Sequence, residues 1–268
     1  LNRTVRGQEQ EFNIVNKKEN AMSENQHTLQ HKRAAGDPRW RDLYRWGGFS
    51  ALVAIAAIVA AGAAYAVWPY LPGALSTAEI YAQVLSDRVG ALMALDLIYY
   101  VCSILSIPLC LGLYVALRRT NESHALIALV IGLMALVLLF TARPIAEVMT
   151  LANRYAAAAT EAERTRLLAA GEPLLVLFTG SSNWLSYILG TLSLLIFAFL
   201  MRDGKVFSKR AAWVGVATNV VAFGLFLPAI GIWLSFASLA GMIIWNIQIA
   251  RTLFRLARTA SAAQAAAG

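Results

Sequence analysis

The sequence predicts an all-α fold: a polytopic bundle of six transmembrane helices, both termini cytoplasmic, with short helices in the two long extracytoplasmic connections. Three observations lead there. Hydrophobic residues make up 59% of the 268-residue chain and charged residues only 14%, against about 25% charged in soluble domains. Six apolar runs each approach the roughly 20 residues that a bilayer demands. The basic residues fall between those runs, dense in alternate connections and sparse in the others. A net charge of +8 would suggest nucleic acid in a soluble protein, but this placement assigns it to membrane orientation, and no nucleic-acid partner is expected.

Residues 1–36 are polar and expected to be disordered. They lack the apolar core and small-residue cleavage site of a signal peptide. Back-translation of Lys18-Glu19-Asn20-Ala21-Met22 can contain AAGGAG six bases ahead of an ATG, the pattern of a bacterial ribosome-binding site. Met22 is therefore expected to be the start and residues 1–21 translated upstream sequence, the alternative being a genuine polar tail.

Asp37-Pro38 reads as a cap with Pro at the first helical position. Arg39, Trp40, Arg41, Tyr44, Arg45 and Trp46 follow, a cationic and aromatic mixture that suits the headgroup layer and points to the lipid bilayer as partner. The spans are expected at about 47–68, 93–117, 124–146, 174–200, 211–230 and 232–250, with a flexible Ala-rich tail at 259–268. Ala56, Ala60 and Ala64 put a small-residue stripe on the first span. Pro108 predicts a kink in the second. Ser76-x-x-Glu79 fits a capping box opening a helix over 77–87. Thr160-x-x-Glu163 fits another, with that helix ending at Gly171 and Pro173 starting the fourth span. Lys32, Arg33, Arg39, Arg41, Arg45, Arg118 and Arg119 share one side with Arg202, Lys205, Lys209, Arg210, Arg251, Arg255 and Arg258. Arg88, Arg143, Arg154, Arg164 and Arg166 hold the other, and that imbalance makes both termini cytoplasmic.

Counting along helices from the cytoplasmic charges assigns depths. Asp96 lies 22 residues from Arg118, about 33 Å. Arg143 lies 19 residues beyond His124 and Asn183 19 residues before Arg202, about 29 Å each. Asp96, Arg143 and Asn183 thus share a level in the outer third, with Glu147 one turn above Arg143. Asp96 is expected within hydrogen-bonding reach of Arg143, although Arg143 also has Glu147 at i+4. Such a cluster either pins the second and third spans or lines an outward-facing polar pocket. Asn219 and Asn246 form a candidate inner pair, able to bond each other or to act as packing glue.

The chemistry of an enzyme is missing. There is no HExxH, Walker A, GxSxG or paired-carboxylate motif, so catalysis is not expected. Cys102 and Cys110 are about 12 Å apart on one helix, too far for a disulfide. His27 and His31 lack a third ligand nearby, and no metal or cofactor is expected.

The acid at Asp96, the Leu113-Tyr114 pair followed by Arg118-Arg119, and a third span opening with Ala125-Leu126 carry a resemblance. Over about residues 46–256 the chain resembles a bacterial multi-pass family of about six helices, known only as a domain of unknown function. Where some members carry an Arg early in the third span, this chain has Gly132-Leu133-Met134. The resemblance implies a fold and a location, the bacterial inner membrane, but no activity. Three functions stay open: a non-catalytic protein that binds or senses a small molecule or acts as a scaffold, a small-molecule or proton-coupled transporter, and an accessory subunit of a larger membrane complex.

Overall fold

The apolar runs fold as helices, and the residues that interrupt them set the architecture. The computed structural model describes residues 36–68, 75–204 and 206–265. The tail through residue 35, with Met22, His27, His31, Lys32 and Arg33, lies outside the described residues, as does Lys205. Among the described residues the chain is 86% helical and has no strand. Five stretches are long and apolar enough to cross a membrane: Pro38–Val67, Leu97–Leu117, Glu122–Ala157, Glu161–Asp203 and Trp233–Ala265.

Asp37 caps as its sequence implies, accepting from the Arg39 amide, and a 3-10 turn over Pro38–Trp40 leads into α1 (Arg41–Val67). Gly36 belongs to this ordered start rather than to a tail; its N–H donates to Thr259 Oγ1 at 3.0 Å. Both halves of the Ser76–Glu79 capping box are present at α2 (Thr77–Ser86). Asp87 then caps a separate α3 (Arg88–Ala94). The expected second span is divided into α3, α4 (Leu97–Leu105) and α5 (Ile107–Leu117). Pro108 accounts for the lower break, having no N–H to continue the ladder. There Ser106 Oγ donates to the Ser103 carbonyl at 2.6 Å.

The Asn121 side chain accepts from His124 N to cap α6 (Glu122–Thr141). Pro144 ends that helix short of residue 146, and a further helix not expected from the sequence, α7 (Ile145–Ala157), follows. Thr160 caps α8 (Glu161–Val176) as expected, but α8 runs on through Gly171 and Pro173. Gly171 is therefore not a C-terminal signal; a Cβ there would fall on Tyr81 Oη and lie 2.7 Å from Thr77 Cγ2. The fourth membrane helix starts later than expected, as α9 (Ser181–Asp203) after a turn.

The expected fifth span, 211–230, is shortened to α10 (Lys209–Phe223), 15 residues or about 22 Å. Residues 224–230 are spent on turning: a 3-10 turn at Gly224–Phe226, then Pro228 and a left-handed Ala229 with φ 66°. The last helix, α11 (Gly231–Ala265), extends through most of the expected flexible tail. Alanine has the best helix propensity, and Ala260, fully buried, packs against Gly36.

Two apolar cores result. One unites α1, α5, α6, α9, α10 and α11 around Leu113, Leu117, Phe197, Met201, Trp245 and Leu253. Small residues bring its helices close, as where Ser193 Oγ on α9 donates to the Ala128 carbonyl on α6 at 2.6 Å. The second core is local to α2, α3, α7, α8 and the turn after α8, and buries Tyr81, Ala91, Leu95, Val148 and Phe178. The long connections thus form a capping layer with its own interior.

Candidate functional site

Asp96 stands between two helices rather than inside one. Its amide donates to the Met93 carbonyl at 3.0 Å, and its own carbonyl accepts from Tyr100 N at 3.0 Å to start α4. This requires φ 64° and ψ 34°, the left-handed region that Asp tolerates better than most residues with a side chain. Arg143 also sits at a break. Pro144 disfavours helical backbone at the residue before it, which releases Arg143 from α6.

The two breaks meet. Arg143 Nε and Nη2 donate to the same oxygen, Asp96 Oδ2, at 3.2 and 3.1 Å. Nη1 donates to the Ala142 carbonyl at 3.3 Å, and the guanidinium lies 5.1 Å from the centre of the Phe178 ring. The Arg143 side chain is 5% exposed and the Asp96 side chain 24%, so the pair is closed on the arginine side and partly open on the carboxylate side.

Arg143 also belongs to the wall of an open cleft of about 650 Å³ between α3–α4 and α6–α7. Arg88, Tyr100, Glu147 and Asn153 supply its other polar groups; Leu92, Leu97, Phe140 and Met149 supply apolar surface. With Asp96 neutralising Arg143, the exposed charges left are the Arg88 guanidinium and the Glu147 carboxylate. Among the described residues no three His, Cys, Asp or Glu side chains converge to hold a metal. The cleft is suited to holding an amphiphilic molecule with a charged end.

The other expected groups divide. Glu147 reaches the cleft but is not stacked one turn above Arg143, because Pro144 separates their helices; it is exposed in the first turn of α7. Asn183 is half-buried in the first turn of α9, outside the cleft lining; the turn before α9 instead sets Phe178, also outside that lining, against the Arg143 guanidinium. Asn219 Nδ2 donates to the Gly215 carbonyl at 2.8 Å and Asn246 Nδ2 to the Met242 carbonyl at 2.9 Å. Each binds its own helix, so the proposed inner pair is not joined. Of the headgroup-layer residues, Trp46 is 63% exposed and Arg45 is exposed, but Tyr44 is buried in the main core. Arg41 pairs with Asp42, while Arg39 pairs with Asp37. Trp40 lies under Arg118, 5.1 Å from ring centre to guanidinium.

Sequence reasoning missed Phe178 and Arg88, for which no short motif exists, and the reach of Asp37. It read Asp37 as a cap alone. The carboxylate also faces Arg118 and Arg119 across the bundle. Hydrogen bonds from Arg39, then the charges of Arg39 and Arg119, hold Asp37 below its usual carboxylate pKa despite burial. No family model, curated protein or solved structure matches the chain, so the family resemblance rests on the sequence alone.

Proposed function

We propose that the chain is a non-catalytic, six-span protein of the bacterial inner membrane that binds a small amphiphilic molecule at its extracytoplasmic face. The observation that carries this reading is the buried Arg143, paired with Asp96, in the wall of the open cleft. A pair serving only to pin two helices needs no cleft beside it, and a ligand here meets the charges of Arg88 and Glu147 beside apolar side chains.

Six crossings with both termini inside are supported by which segments meet. Asp37 pairs with Arg119, Gly36 bonds Thr259, and the backbone of Gly204 approaches Thr120. The start of α1, the α5–α6 turn, the end of α9 and the end of α11 therefore share one end of the bundle. On this reading α10 runs away from that end and α11 returns to it. This is also the end that carries most of the basic residues, hence the cytoplasmic one.

The test is native mass spectrometry of the protein purified in mild detergent, wild type beside Arg88→Gln and Glu147→Gln. A co-purifying small molecule that either substitution depletes supports the reading. Equal retention by all three overturns it. Proteoliposome flux that Asp96→Asn abolishes would overturn it in favour of a transporter.

A further inference from the structure

The charges around the outer cleft are balanced in number but kept apart. Arg88 reaches the cleft from α3 and Glu147 from α7. Both are exposed, and among the described residues neither makes an ion pair or a side-chain hydrogen bond. Arg143 is the third charge in the lining, and Asp96, outside that lining, answers it at 3.1 Å. The two walls therefore carry one unengaged cation and one unengaged anion, with no net charge. The apolar part of the lining has its own address. Leu97 and Tyr100 belong to the first turn of α4 and Phe140 to the last turn of α6, the ends of two apolar helices that the capping layer covers. The Tyr100 and Phe140 rings meet there, centres 5.3 Å apart.

This pattern discriminates among ligands. An anion entering the cleft engages Arg88 and displaces water from Glu147 without offering it a partner. A cation does the reverse, and a neutral head leaves both charges unanswered. Only a head that carries both signs engages both walls. With no net charge in the lining, selection rests on where the ligand's charges lie rather than on their sum. We propose that the cleft binds a zwitterionic phospholipid from the adjacent leaflet, its phosphate on the Arg88 guanidinium, its ammonium group on the Glu147 carboxylate and an acyl chain along Leu97, Tyr100 and Phe140. The proposal rests on the ligand-binding reading above and adds the charge pattern that the ligand must carry. A volume of about 650 Å³ holds such a head and the first methylenes, and the rest of the chain continues beside α4 and α6.

The test uses the full chain in neutral maltoside micelles and three amphiphiles of one chain length: octyl phosphocholine, octyl sulfate and octyltrimethylammonium. Binding is read by native mass spectrometry against protein-free micelles. The wild type should prefer octyl phosphocholine about fivefold over each of the other two, the effect of one exposed ion pair. In Arg88→Gln that advantage over the cation should vanish and octyl sulfate should fall behind. In Glu147→Gln the advantage over octyl sulfate should vanish and the cation should fall behind. Arg154→Gln, on α7 but outside the lining, should match the wild type. Octyl sulfate or octyltrimethylammonium bound as tightly as octyl phosphocholine by the wild type, yet weakened by Arg88→Gln or Glu147→Gln, overturns the zwitterion and leaves the ligand-binding reading standing. Binding of no probe, or equal binding by wild type and both cleft variants, overturns that reading as well. Dioctanoyl phosphatidylcholine should displace octyl phosphocholine where dioctanoyl phosphatidylglycerol does not. Displacement by neither overturns the leaflet phospholipid in favour of a diffusible single-chain zwitterion.

Discussion

Replacing Asp96 by Asn isolates the charge of the outer pair. The amide has nearly the same shape and tolerates the left-handed backbone at φ 64°, so the fold around residue 96 is preserved. What is lost is the counter-charge to a guanidinium that is 5% exposed. Unit charges about 4 Å apart at an effective dielectric constant of about 20 attract by about 4 kcal/mol. The carboxylate is 24% exposed, and solvent on that side trims the expected loss to about 2–3 kcal/mol. Asp96→Ala should cost about 1 kcal/mol more, because alanine in the left-handed region meets a steric penalty. Asp96→Gly should be more stable than Asp96→Ala although both lack the carboxylate. Arg143→Met removes the cation that needs partnering, so the double variant with Asp96→Asn should cost less than the two single costs added together. Unfolding in mixed micelles by SDS titration, followed by circular dichroism, gives all five energies. If Asp96→Asn stays within about 0.5 kcal/mol of the wild type, or the double-mutant coupling is near zero, the pairing argument is refuted.

The remaining predictions concern the capping layer and the end of the bundle that holds Asp37. Gly171→Ala should destabilise the α2–α8 contact by about 1–3 kcal/mol, since the new methyl displaces the Tyr81 hydroxyl from its 3.1 Å hydrogen bond to the Leu167 carbonyl; loss of amide protection confined to α2, α7 and α8 is the expected readout. Ser76→Ala should remove about 1 kcal/mol from α2 and raise hydrogen exchange in its first turn, with α9 unaffected. Asp37 has its pKa lowered in the folded state, so its stabilisation is complete above the unfolded value, about 3.9, and is lost as pH falls through the lower folded value. Amide exchange at residues 36–41 should therefore be insensitive to the state of Asp37 from pH 5 to 8 and rise in acid, and Asp37→Asn should abolish that acid response.

What the sequence made legible follows the range of each signal. Short-range signals read correctly: the Ser76–Glu79 box and the Thr160 cap need only residues three apart. Counting along the helices puts Asp96 and Arg143 at one level, and the structure brings these two residues, 47 apart in the chain, into contact. Counting failed for Asn183, because equal depth does not fix which way a helix face turns. Pro and Gly were the weak points. Pro144 and Pro228 fall inside expected spans although both lie in breaks between helices, whereas the expected helix end at Gly171 and span start at Pro173 both fall inside one helix. Hydropathy cannot distinguish a residue that fills a span from one that turns the chain. Only the neighbouring element, Tyr81 for Gly171, decides.

The positions of the two helix breaks bear on how the protein is made. The apolar stretch Leu97–Leu117 begins one residue after Asp96, and α6 ends at Thr141, two residues before Arg143. At the moment of membrane integration each stretch can be recognised as a clean hydrophobic segment with its charge left outside, in the aqueous margin. Neither residue has to be carried into the hydrocarbon unpartnered while the other is still unsynthesised. The charges can meet only once both segments have been made, 47 residues apart in the chain. A nascent chain arrested before residue 143 should already hold its second segment in the membrane without help from the arginine.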